Sequence, residues 1–122
     1  MAHTSTKTGA ATIRTLEEWE AWKAKASKDA VLLQMGSPVC ALCPAFGECI
    51  EQLKGKRKFK HVYCNMHDVD SDLHEELQVT RLPAYVLVSG DQTFSCEGAT
   101  PEQVSKAVHE ACPGVLVLDD DF

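Results

Sequence analysis

Two cysteines three positions apart, Cys40 and Cys43 in "SPVCALCPAFGECIEQL", are the residues in this chain best placed to do chemistry. A C-x-x-C pair serves dithiol–disulfide exchange, half of a metal site, or ordinary packing by small apolar side chains. The exchange reading has a geometric reason. Set at the start of a helix, the first thiol stays exposed and the second lies one turn on, beneath it and within disulfide reach. Helix-start amides and the helix dipole favour an anion there, which lowers a thiol's pKa toward neutrality. Cys40 then attacks a substrate disulfide, and Cys43 resolves the mixed disulfide.

The metal reading uses Cys40-x₂-Cys43 with Cys64-x₂-His67, an acceptable zinc spacing. Against it, Cys64 falls in a strand-like run, where side chains three apart point to opposite faces. A chain of 122 residues with strong periodicity also needs no metal staple. No metal and no separate cofactor are therefore expected. Cys49, Cys64, Cys96 and Cys112 show no second C-x-x-C spacing and read as core or surface fillers.

The elements around the pair follow from pattern. "AVLLQMG" before it is the apolar run of a strand buried on both faces. After it, Phe46, Ile50 and Leu53 recur at helical spacing, and Pro44 is tolerated in a first turn whose amides are unpaired. Upstream, "AATIRT" is β-prone, and Thr15 with Glu18 form a capping box for a helix carrying Leu16, Trp19, Trp22 and Ala26 on one stripe. Downstream come the basic loop "KGKRKFK", the strand "FKHVYCNM" and a short acidic-first helix in "DVDSDLHEELQV". A hairpin follows around Ser-Gly-Asp-Gln, and then a helix with Thr100 as N-cap, Pro101 at N1 and Gln103 at N3. The order β-α-β-α-β-α-β-β-α predicts an α/β domain, a central mixed sheet with helices on both faces.

Composition bounds the rest. A net charge of −6 argues against nucleic acid or an anionic membrane as the main partner. No stretch reaches the ~18–20 apolar residues of a membrane span, and "MAHTSTKTGA" lacks a secretory core. The expected layout is a disordered lead-in over 1–10, one domain over 11–112 and an acidic tail over 113–122. The expected location is cytoplasmic.

With "VLLQMGSPVCALC", "VTRLPAYVLVSGDQTF" and "EGATPEQV" in place, the chain resembles the thioredoxin family over roughly Ala11 to Ala111. The 43 positions from Cys40 to Pro83 fit that resemblance. It implies the thioredoxin fold, a central mixed five-stranded sheet flanked by four helices. It also implies a cis Pro83 against the dithiol, and a substrate groove formed by Val39, Leu82, Pro83 and Gly98. Substrate peptide would bond there to the backbone beside Leu82, a form of strand addition. Arg81 beside the loop stabilises a thiolate, selects acidic substrates, or is a solvated charge.

The implied activity is thiol–disulfide oxidoreduction on protein disulfide or dithiol substrates, within cell redox homeostasis. A thioredoxin-reductase-type electron donor and a monomeric or weakly dimeric state go with it. Departures are equally specific. Val39 stands where the family has tryptophan, Ala41-Leu42 where it has Gly-Pro, and Gln34 where it has a buried aspartate. Glutamine hydrogen-bonds but cannot ionise, so Cys43 is expected to leave its thiol form slowly. A non-catalytic or redox-regulated binding module on the same fold is the alternative.

Overall fold

A computed structural model describes residues 10–112 and 114. The lead-in (apart from Ala10) and the acidic tail (apart from Gly114) therefore lie outside the described residues. Strand β1 is Ala11–Thr12, and helix α1 spans Leu16–Lys23 with a 3₁₀ turn over Ala24–Ser27. β2 is Val31–Gly36, α2 Cys43–Lys54, β3 Lys60–Asn65 and α3 Ser71–Leu77. The hairpin strands are β4, Ala84–Ser89, and β5, Gln92–Glu97, and α4 is Pro101–Ala111.

The helix starts follow from side-chain chemistry. Thr15 accepts from the Glu18 amide while Glu18 reaches back, and Thr100 and Gln103 form the same reciprocal pair at α4. Asp70 caps α3 by accepting from the Leu73 amide. The β4–β5 turn passes through Gly90 at φ 64°, a left-handed conformation that glycine adopts without side-chain strain.

The strands pair in the order β1-β3-β2-β4-β5, with β2 parallel to β3 and antiparallel to β4. The sheet is thus mixed and five-stranded, with β2 in the middle. All six residues of β2 are buried, as the continuous apolar run demands. Two apolar layers form. One gathers Ile13, Trp19, Ala26, Leu33, Met35, Val62 and Leu73 beneath α1 and α3. The other gathers Leu32, Phe46, Ile50, Leu53, Leu87, Val104 and Val108 beneath α2 and α4. Trp19 and Phe46 are fully enclosed, and burial of a large side chain contributes about 1.5–3 kcal/mol each. Ala26 sits on the 3₁₀ turn rather than on α1, although it still reaches the core.

Candidate dithiol site

The central strand delivers the cysteines. β2 ends at Gly36, the chain turns through Ser37 to Leu42, and α2 opens at Cys43. Within the turn the Cys40 amide donates to the Ser37 carbonyl at 3.3 Å, and the Cys43 amide to the Cys40 carbonyl at 3.3 Å. The Ser37 hydroxyl accepts from the Val39 amide at 3.2 Å. Cys40 and Cys43 are joined by a disulfide, with α-carbons 5.4 Å apart.

Two local expectations need correction. Cys40 lies in the turn ahead of the helix, not in its first turn. Both cysteines are also half-buried, rather than one exposed above one covered. The reason is Pro44 near the helix start, together with Leu42 as an N-cap that makes no side-chain bond. The helix therefore begins at the second cysteine, and one of its first amides is missing as a donor.

Exposed apolar residues adjoin both cysteines in the chain. Val39 is 78% exposed and Leu42 67%, the two large hydrophobic side chains left open to solvent among the described residues. Pro83 is brought to the same end of the sheet by register. Met35 pairs with Ala84, so the residue before β4 lies beside the end of β2. The Leu82–Pro83 peptide is cis, and Pro83 is buried. Its carbonyl accepts from the Ala99 amide at 2.8 Å, and the Arg81 carbonyl from the Gly98 amide at 3.2 Å. Gly98 has φ 56°, and a β-carbon there would stand 3.6 Å from the Arg81 side chain. Arg81 is exposed and packs over Gly98, with Glu97 beside it lowered in pKa chiefly by the Thr80 amide and hydroxyl.

Beneath α2 lies a polar group that sequence reasoning reached only at Gln34. Gln34 is 4% exposed, and its Oε1 is 2.8 Å from His61 Nε2. His61 Nδ1 lies 3.2 Å from Lys54 Nζ and 3.5 Å from a Glu51 carboxylate oxygen. An ammonium only donates, so Nδ1 accepts and the imidazole proton sits at Nε2, donated to Gln34. Burial first, and the Lys54 charge second, push the His61 pKa down to about 4. The imidazole is therefore neutral at pH 7, and its approach to Glu51 is not an ion pair. No motif marks His61; its partnership arises from the pairing of β2 with β3.

The remaining cysteines are free thiols. Cys64 and Cys112 are buried, and burial raises them to about 12 and about 11 respectively. Cys49, half-buried against the Pro101 carbonyl, is raised by burial too. Cys64 packs beside Met66 in the α1-side layer, and His67 is exposed. Among the described residues no group of three or more His, Cys, Asp or Glu side chains is gathered to hold a metal ion. Nor is any helix among them long and apolar enough to cross a membrane.

No protein-family model matches the chain, and no curated protein matches it. Solved structures do. Mitochondrial thioredoxin 3 of Saccharomyces cerevisiae, in its oxidised form, superposes with a TM-score of 0.71 at 20% identity, covering 84% of this chain and 96% of that one. Chloroplast thioredoxin f of spinach gives 0.70 at 19% identity, over 84% of this chain and 92% of that one. Oxidised thioredoxin O2 of Arabidopsis thaliana gives 0.72 at 13% identity, over 85% and 95%. With its mixed five-stranded sheet, four helices and a cysteine pair bridged where the central strand meets α2, this chain has the thioredoxin fold.

Proposed function

We propose that the protein is a thiol–disulfide oxidoreductase acting on protein disulfides through Cys40 and Cys43. The observation that carries this reading is the bridged pair itself. It is half-buried past the end of β2, with exposed Val39 and Leu42 next to its two cysteines in the chain. Cys40, the cysteine in the turn, is the attacking thiol and Cys43, fixed on α2, the resolving one. Val39, Leu82, Pro83 and Gly98 form the substrate groove, and Arg81 at its edge favours acidic substrates. An external dithiol reductant of the thioredoxin-reductase type resets the pair, and the protein works in the cytoplasm as a monomer or weak dimer. Turnover is slow, because Gln34 holds a hydrogen bond to His61 and has no proton to exchange at neutral pH.

Reduction of insulin disulfides by the reduced chain tests the reading. Cys40→Ser is expected to abolish it, since no second thiol occupies the turn. Undiminished reduction by the folded variant refutes the assignment, and the exposed Val39 and Leu42 then mark a binding surface without catalysis.

A further inference from the structure

Gly36 is the last residue of β2, and the space above its α-carbon is contested. A β-carbon built there would stand 3.2 Å from the Tyr63 hydroxyl oxygen and 3.3 Å from Cys43 Sγ. The Tyr63 ring edge, Cε1, would also be 3.3 Å away. The phenol of β3 and the sulfur of α2 thus converge on one small volume, which only glycine leaves open. Register explains the approach: Tyr63 pairs with Gln34 and Asn65 with Gly36, so the Tyr63 side chain rises on the α2 face beside the end of β2.

Two further observations concern that hydroxyl. Among the described residues it has no hydrogen-bond partner. Burial, and secondarily Cys64, raise its pKa, so it remains a neutral O–H donor at pH 7. A half-buried donor without a partner among the described residues stands beside the same glycine as the sulfur that must ionise to resolve a mixed disulfide, and that sulfur is the acceptor nearest to hand along this edge.

We propose that in the reduced protein the Tyr63 hydroxyl donates a hydrogen bond to the Cys43 thiolate, holding the resolving sulfur in its nucleophilic form. The proposal rests on the oxidoreductase reading for its purpose, but not for its measurement. In the resolving step Cys43 thiolate attacks Cys40 Sγ of the Cys40–substrate mixed disulfide. The Cys43–Cys40 bond forms as the Cys40–substrate bond breaks. The substrate sulfur leaves with the electron pair and takes a proton from water. The substrate disulfide is the oxidant, and an external dithiol restores the pair. Tyr63 exchanges no electrons; it raises the fraction of Cys43 present as thiolate.

Other ionisable groups approach from the packed elements. β2 contributes none. On β3, His61 is held by Gln34 and Lys54, and Cys64 packs on the opposite face. Tyr85 of β4 stacks on Phe46, and Arg81 lies over Gly98. Beyond Cys43, α2 itself carries Glu48, Cys49, Glu51 and Lys54. All of these stay in place when only the phenol oxygen is removed, so a Tyr63→Phe comparison isolates that oxygen.

The experiment follows the pH dependence of iodoacetamide alkylation at Cys43, read by peptide mass spectrometry in a Cys40→Ser chain with and without Tyr63→Phe. Loss of the hydrogen bond is expected to raise the Cys43 pKa by about one unit. In the chain that retains Cys40, resolution of a mixed disulfide near pH 7 slows about threefold. Thiolate fraction falls about tenfold while intrinsic nucleophilicity partly recovers. Above both pKa values the variant is no slower than its parent, which a merely structural defect would not produce. Gly36→Ala, which puts a methyl group 3.2 Å from the Tyr63 oxygen and 3.3 Å from Cys43 Sγ and so crowds both, is expected to shift the pKa in the same direction. A folded Tyr63→Phe chain whose Cys43 titrates like the parent, or below it, overturns the proposal. Because this titration needs no substrate, it stands even where Cys40→Ser leaves insulin reduction intact.

Discussion

At the scale of single residues, the most consequential group outside the disulfide is His61. It is buried, neutral, and donates to Gln34 at 2.8 Å. Its folded pKa of about 4 lies below the ordinary value of 6.5. The unfolded chain therefore binds this proton first as pH falls. Stability from His61 is complete above pH ~6.5 and drains away as pH drops toward ~4. The full displacement corresponds to about 3 kcal/mol, of which about 2 kcal/mol is lost by about pH 4.5. Urea unfolding at neutral pH and near pH 4.5 is expected to show that decline in the parent and a much flatter response in His61→Gln. Equal pH dependence in the two proteins would refute the buried neutral histidine. Lowered carboxylates such as Glu18, held by the Arg14 and Thr15 amides, begin to lose their contribution only near pH 4.5, at the acid end of the window in which His61 acts.

At the scale of elements, much was legible because local chemistry and packing agree. Thr15 with Glu18 and Thr100 with Gln103 mark helix starts by spacing alone, and both boxes close as read. The run Val31–Gly36 reads as doubly buried and is so. Two things were not legible, for different reasons. The turn before α2 depends on how Leu42 and Pro44 share the helix start, a choice among neighbouring backbone states that a C-x-x-C motif does not encode. The Gln34–His61 bond depends on cross-strand register, which joins residues 27 apart in sequence.

That bond also constrains α2. A β-carbon at Gly47 would stand 3.1 Å from Gln34 Nε2, whose amide is pinned through Oε1 to His61. Alanine in a helix interior gains about 1 kcal/mol over glycine, but here it meets an amide that cannot swing away without breaking a buried bond. Gly47→Ala is therefore expected to destabilise the parent by about 1 kcal/mol, yet to stabilise a Gln34→Ala background by about the same amount. Chemical denaturation of the four proteins measures the coupling. The same change in both backgrounds would show that Gly47 and Gln34 do not press on each other.

At the scale of the whole molecule, the dithiol is carried by the sheet without being needed to hold it together. Strand β2 is paired on both sides along its length, and apolar layers cover both faces of the sheet. The cysteines sit past the strand's end, at the margin of this packing. Their bridge spans a sequence separation of 3, so it removes little freedom from the unfolded chain. The loop-entropy relation puts its contribution at about 2 kcal/mol, a modest part of the stability expected of a domain this size. The reduced protein should therefore remain folded, with a cooperative urea transition shifted down by about 2 kcal/mol relative to the oxidised form. Cys40→Ser/Cys43→Ser should unfold at one midpoint whether or not reductant is present. A chain that unfolds on reduction would mean that the disulfide staples the fold, and would leave no folded reduced state in which Cys40 could attack a substrate.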